Sequence, residues 1–481
     1  MRRFRYALLA VPFVLPVFVA CEENSNNTSS SGGFTVPEGG GFEAGPEQDS
    51  GPFQEASTDA PIDNFVPPKG AKVTVTKSGT PQKDVRVIAH DATGAITSEV
   101  KTDATGVASF AAAPNMITVL TRIQGSSPAA LTYLGVADGD VMNVAIPDFF
   151  GEPPPFAQFT TSANAFVGAS SYSFNVSDNC SGFTNTAGTT TTINLYTNCL
   201  GAQNAVLGTA YDGEGFPIGF GFLKNQAKPA MGATVALPAI SFTARGTLTQ
   251  TASNIPANTY TDAELASIAN GFGYYTGNRS GSLSGGGVTY PIATGFADAY
   301  QSLVVATSDN GPISARAILR RDASNNTATQ TLAFDFATAL PAITNGVVSG
   351  AVPSRPDVTL TAAASLAATD GGIVRLRWNL AQGVIPQSGW SFVVPPGTTT
   401  LKVPALPTDT DAAAFLPQAG ATVRDAMFLE STLLPGYSQL KTLPINSDGE
   451  PPVGISNGTP LPANGTVKAT VYNRYIISPP G

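Results

Sequence analysis

The sequence predicts an all-β protein, a series of β-sandwich modules behind a disordered N-terminal tether. Three observations predict it. Charged residues make up only 12% of the chain, while Gly (49) and Pro (38) are abundant. That composition suits many turns and few solvated helices. Short apolar runs alternate with period two between turn signals, as at Val73 and Val75, then Val85, Val87 and Ala89. Residues 22–68, by contrast, have no periodicity and are rich in Gly, Ser, Pro and acid.

The first element is a secretory signal over residues 1–20. Arg2, Arg3 and Arg5 give a positive start, and Ala7 to Ala20 is uncharged and apolar. That run is too short to span a bilayer as a helix, and Pro12 and Pro16 interrupt it. Phe18-Val19-Ala20-Cys21 resembles the bacterial lipobox, with Phe18 standing where Leu is usual. The resemblance implies diacylglycerol on the Cys21 sulfur, cleavage after Ala20 and acylation of the new amino group. Two or more acyl chains anchor stably where one does not. The expected address is therefore a bacterial cell envelope. The expected partner is the membrane, through lipid on Cys21, with the outer membrane or cell surface favoured over the inner membrane.

Residues 21–68 form the expected lipidated acidic tether. They hold Glu38, Glu43, Glu47, Asp49 and Glu55 among other acids, and no Lys or Arg. As a flexible coil such a segment spans about 40 Å. The rest of the chain is nearly neutral and shows no basic stripe, so nucleic acid is not an expected partner.

Order is expected from Lys69. Asp91-Ala-Thr-Gly94 and Asp103-Ala-Thr-Gly106 are near copies that supply turn-forming Asp and Gly. Gly79, Pro81, Val85 to Ala89, Asp91, Gly94, Thr102, Asp103, Gly106 and Phe110 follow an order that resembles carboxypeptidase regulatory-like and bacterial Ig-like modules. The resemblance covers residues 69–146 and implies an Ig-like or transthyretin-like β-sandwich. Such modules act as stiff spacers, carbohydrate contacts or appendages to enzymes. They carry no catalytic residues of their own.

Three further units are expected. Residues 147–240 follow a proline-rich boundary and contain Cys180 and Cys199. With Cys21 assigned to lipid, these two form an even pair in an exported chain, and a disulfide is expected. Closing that loop stabilises by about 3 kcal/mol in the chain-entropy view. Residues 241–350 form a β module with one short helix, because Thr261-x-x-Glu264 fits a capping box followed by Leu265 and Ile268. Residues 351–481 form a last β-sandwich. Its expected hairpin turns at Asp370-Gly371, with Val374, Leu376, Trp378 and Leu380 on one face. Its expected final strand turns Val467, Ala469 and Val471 inward.

Candidate chemistry is sparse. His90 is the only histidine, and its place before a D-x-x-G turn suggests a surface or turn role. Histidine-based metal clusters are excluded by count, and no metal or other cofactor is expected. Asp212 and Glu214 alternate with glycines in a motif suited either to calcium or, more simply, to a hairpin tip. Trp378 fits its strand's inward face. Trp390 follows a loop, and Tyr274-Tyr275 sits in a Gly-rich stretch, so these three are the candidate sugar-stacking residues. The leading expectation is a lipid-anchored structural or adhesive (display) protein without catalysis. The alternatives are a carbohydrate-binding surface lipoprotein and a carboxylate-based glycan hydrolase. Glycan and another envelope protein are the expected extracellular partners.

Overall fold

The computed structural model describes residues 69–474 except 78, 124–126, 147–154, 178–179, 197–199, 281–282, 284–286, 312, 324–327, 351–354, 379–387, 435, 444 and 447–464. The signal, Cys21 and the tether lie outside the described residues. The described chain is all-β, with two short helices, Thr410–Ala413 and Tyr437–Thr442, and a 3-10 turn at Phe336–Thr338.

A twelve-stranded sheet is the backbone of the fold. From one edge its order is Phe272–Ser280, Tyr260–Ala269, Ala299–Asn310, Ile313–Ala323, Thr466–Arg474, Thr422–Ser431, Gly371–Arg377, Gly389–Val394, Ser127–Leu134, Met116–Ile123, Arg86–His90 and Ile96–Lys101. Every seam is antiparallel except one. Gly389–Val394 runs parallel to Ser127–Leu134, with Phe392 opposite Thr132. The sheet takes strands from three of the four expected units. Main-chain hydrogen bonds of this sheet thus join strands from those three stretches of chain.

Smaller sheets cover the long one. Ala71–Lys77, Thr80–Pro81, Val107–Phe110, Val141–Ile146 and Ile445–Asn446 form the first. Its Val73, Val75, Met142 and Val144 pack with Val87, Val119, Leu131 and Met427 of the long sheet. Ile343–Ser349, Asp357–Ala362 and Thr400–Lys402 form the second. Its Val358, Leu360 and Leu401 pack with Ile88, Leu120, Trp390 and Phe392. Successive side chains point to opposite faces of a strand. Neighbours such as Val87 and Ile88 therefore enter different cores, and the middle of the molecule is three layers thick. Double-sided burial explains why Gly389–Val394 is apolar without alternation and buried at all six positions.

The third cover is Gly246–Ser253, Val288–Ile292 and Thr329–Asp335. It buries Leu248, Tyr290 and Phe334 with Leu265, Tyr274 and Tyr300. Beside it stands a side sandwich. Ser171–Ser177, Cys180–Thr184, Gln203–Tyr211, Pro217–Ala227 and Thr243–Ala244 face Ala157–Thr161, Thr191–Leu195 and Thr234–Ala236. Phe159, Tyr172, Phe174, Ile193 and Ile240 fill its core.

The twin turns form as their residues dictate. The Asp91 carboxylate accepts from the Thr93 and Ala95 amides at 2.8 and 2.9 Å, and Gly94 takes φ +76°. Asp103 repeats this with Thr105 and Val107 at 2.8 and 3.1 Å, and Gly106 takes φ +74°. Val467 and Ala469 of the last strand enter the first core, and Val471 packs against it.

Two local expectations are corrected. Thr261 to Ile268 is not helical but lies in the strand Tyr260–Ala269, paired on both sides. Ala263 and Leu265 enter the third-cover core, while Ala266 packs with Leu303 and Val305 on the other face. That two-sided burial overrides the local capping signal. The expected hairpin at Asp370-Gly371 does not form either. Asp357–Ala362 and Gly371–Arg377 belong to different sheets. The Asp370 carboxylate instead accepts from the Ser431 and Gly436 amides at 2.6 and 3.2 Å. The expected alternation is retained, since Val374, Leu376 and Trp378 share one core. Leu380 lies outside the described residues.

Candidate functional site

Two of the candidate sugar-stacking residues are structural. Trp390 is fully buried, and its Nε1 donates to Thr132 Oγ1 at 2.8 Å. Its strand lies between two others and under a cover sheet, so the preceding loop does not free the ring. Tyr274 is also buried. Its hydroxyl donates to the Ala205 carbonyl at 2.8 Å, and its ring meets Phe296 edge-on at 4.9 Å. Neither ring is available to a ligand. Tyr275 is paired with Ala266 in the edge strand. Trp378 is a core residue, as its strand pattern suggested.

The expectation of a surface histidine is likewise corrected. His90 is fully buried. Its Nε2 meets Thr118 Oγ1 at 2.9 Å, and Thr118 Oγ1 meets Thr132 Oγ1 at 2.8 Å. Trp390 donates into the same row. Four neighbouring strands are thus tied by one polar row beneath the second cover sheet. Burial, and next the Arg355 guanidinium, push the His90 pKa down to about 4. A neutral imidazole carries one donor and one acceptor nitrogen, so either tautomer can pair with the Thr118 hydroxyl.

Other charged groups fasten the units together. Lys441 and Asp140 form a buried ion pair, with the Tyr437 ring 4.6 Å from the Lys441 ammonium. The Tyr437 hydroxyl lies 2.6 and 2.8 Å from the Leu134 and Val393 carbonyls. Near the surface, Arg86 binds Glu99 at 2.7 Å and Asp409 at 2.8 Å. On another face of the long sheet, burial first and Asp262 second raise the pKa of Glu264.

Cys180 is buried in the side sandwich. The Tyr196 amide donates to its Sγ at 3.3 Å. Cys199 lies outside the described residues.

The expected hairpin tip at 212–216 forms. Asp212 Oδ1 accepts from the Glu214 and Phe216 amides at 3.0 and 2.8 Å. Among the described residues, no group of three or more His, Cys, Asp or Glu side chains is placed to hold a metal. This tip borders a hollow of about 400 Å³ between the side sandwich and the third cover sheet. Asp212, Phe216, Pro217, Ile218, Arg245, Thr247, Thr289 and Pro291 line it. Phe216 is 48% exposed. Arg245 is exposed, and its Nη1 donates to the Pro217 carbonyl at 2.6 Å. Val167, the most exposed large apolar residue described, is 96% exposed on the neighbouring loop. The next residue, Gly168, approaches Ile218. Sequence reasoning found the Asp212 turn but missed Arg245, Thr247 and Thr289. They come from distant segments with no motif, and only the packing of two sheets brings them together.

No protein-family pattern matches the chain, and no curated protein is similar to it. Among solved structures, the Bacillus anthracis TIE protein aligns at 8% identity and a TM-score of 0.14, over 56% of this chain and 50% of that one. The chain thus spans half the length of that protein. The chicken CNTN1 FN1-FN3 domains align at 9% identity and a TM-score of 0.12, over 65% of this chain and 90% of theirs. A putative adhesin from Bacteroides ovatus aligns at 11% identity and a TM-score of 0.13, over 62% and 94%. At these scores the likeness carries no argument about function.

Proposed function

We propose that the chain is a lipid-anchored cell-envelope protein of structural or adhesive type, which holds a rigid β body away from a membrane. The observation that carries the reading is the continuity of the twelve-stranded sheet. It joins strands from Arg86–His90 to Thr466–Arg474 through an unbroken series of main-chain ladders. Beads on a string bend at their linkers. Here any bend between the fused units would break ladder hydrogen bonds, so their surfaces stay fixed relative to one another. The anchor rests on Phe18 to Cys21, and the reach rests on the acidic stretch that follows. A Cys180–Cys199 disulfide belongs to the same reading. It is supported by Tyr196, three residues before Cys199, lying against Cys180. The test is metabolic labelling with an acyl probe. The wild-type protein takes up label and sediments with membranes, while Cys21→Ser does neither. Labelling retained in Cys21→Ser overturns the anchor.

A second reading, a carbohydrate-binding lipoprotein, is favoured by the hollow at Phe216 and Arg245, not by Trp390 or Tyr274.

A further inference from the structure

We infer that the hollow between the side sandwich and the third cover sheet binds a carboxylate-bearing saccharide. Arg245 would take the carboxylate, and Phe216 the apolar face of the sugar ring. The inference deepens the adhesive reading and rests on it for its biological sense, while the binding itself is a property of the hollow.

The charge argument comes first. Arg245 forms no ion pair among the described residues, and its one hydrogen bond is to a backbone carbonyl. That bond orients the guanidinium and leaves further N–H donors for a ligand. A guanidinium presents its donors as a planar fork that matches a carboxylate two bonds at a time. Asp212 lines the same hollow, but its Oδ1 is committed to the hairpin amides. It forms no ion pair with Arg245, and its other oxygen can accept a sugar hydroxyl.

Shape and surface chemistry select the ligand class. The half-exposed Phe216 ring offers a flat apolar face, which suits the C–H face of a pyranose. Thr247 and Thr289, on strands of the third cover sheet, also line the hollow. Thr289 bonds Thr249 at 2.9 Å, while the Thr247 hydroxyl has no partner among the described residues. A peptide strand is a poorer occupant. Pro217 and Pro291 both line the hollow and have no N–H to offer a ladder. The volume is at the small end of ligand pockets, suited to a short stretch of sugar units.

The test is titration calorimetry on the full chain in detergent. The probes are trigalacturonate, neutral maltotriose and triglutamate. Trigalacturonate should bind saturably, and more weakly as salt rises. Arg245→Gln and Phe216→Ala should each weaken it roughly tenfold or more. Both side chains are exposed, so the melting temperature should hold. Absence of trigalacturonate binding, binding that neither substitution weakens, or equal binding of triglutamate or maltotriose overturns the inference. Failure of the display reading is seen separately, in whether the body reaches the cell surface.

Discussion

The indole nitrogen of Trp390 donates to Thr132 Oγ1 at 2.8 Å across the one parallel seam of the long sheet. The two residues are 258 positions apart. This bond, and the Thr118 and His90 contacts beyond it, secure the point where the first ordered unit joins the last. A buried hydrogen bond that is lost with its partner left unsatisfied costs about 1–3 kcal/mol. Thr132→Val strands the indole N–H and should lower unfolding free energy by that amount in urea titration. Trp390→Phe removes the donor but leaves the hydroxyls to each other, and should cost less of the hydrogen-bond term. A neutral Thr132→Val would show the row to be incidental.

His90 gives the fold an acid-sensitive window. Its folded pKa, about 4, lies below the ordinary 6.5. The unfolded chain therefore binds a proton that the folded chain refuses. The stability is complete above pH 6.5, falls as pH drops toward 4, and levels off below that. A shift of this size corresponds to about 3 kcal/mol at most. His90→Gln should flatten that part of the stability curve. The depressed carboxylates, such as Asp91 and Asp103, lose their contribution only below the ordinary carboxylate range, so the two windows separate. A His90→Gln curve with the same slope as wild type between pH 7 and 4 would contradict the assignment; Glu264, whose raised pKa acts in the opposite sense in this window, is common to both proteins.

The legible parts of the fold were the local ones. The Asp91 and Asp103 turns, the alternation of Val374, Leu376 and Trp378, and the inward set on the last strand all follow from residue type and period. Pairing was not legible. The Asp370-Gly371 dipeptide looks like a hairpin turn, yet its carboxylate holds a segment 61 to 66 residues away. Thr261 to Glu264 looks like a helix start, yet two neighbouring strands claim that stretch. Trp390 reads as free because it follows a loop, and only the neighbouring strands and the cover sheet bury it. The hollow was illegible for the same reason, since Phe216, Arg245 and Thr289 meet only after two sheets pack.

Lys441 and Asp140 should matter far more than the surface pairs. Their side chains are 2% and 8% exposed. Lys441→Met leaves a buried carboxylate without its cation and should cost about 3–5 kcal/mol. Replacing both residues with apolar ones should recover part of that loss. Asp411→Ala, which removes a half-exposed partner of Arg122, should cost under about 1 kcal/mol. Equal losses from the buried and exposed substitutions, measured by guanidinium unfolding, would contradict this ranking.

The cysteine pair predicts a simple chemical result. In native, unreduced protein neither Cys180 nor Cys199 should alkylate, and reduction should expose two thiols by intact mass. Reduction should also lower the melting temperature, because the closed loop lies within the side sandwich. Free alkylation of both residues without reductant would show the pair to be open.

The most direct test of display is protease accessibility on intact cells. The account predicts that protease added outside cuts the acidic tether of the wild-type protein and releases a folded body of roughly residues 69–481. The Cys21→Ser protein should no longer be retained on the cells. A wild-type body that stays protected until the cells are lysed, or that remains on the cells equally well without Cys21, would contradict lipid-anchored display.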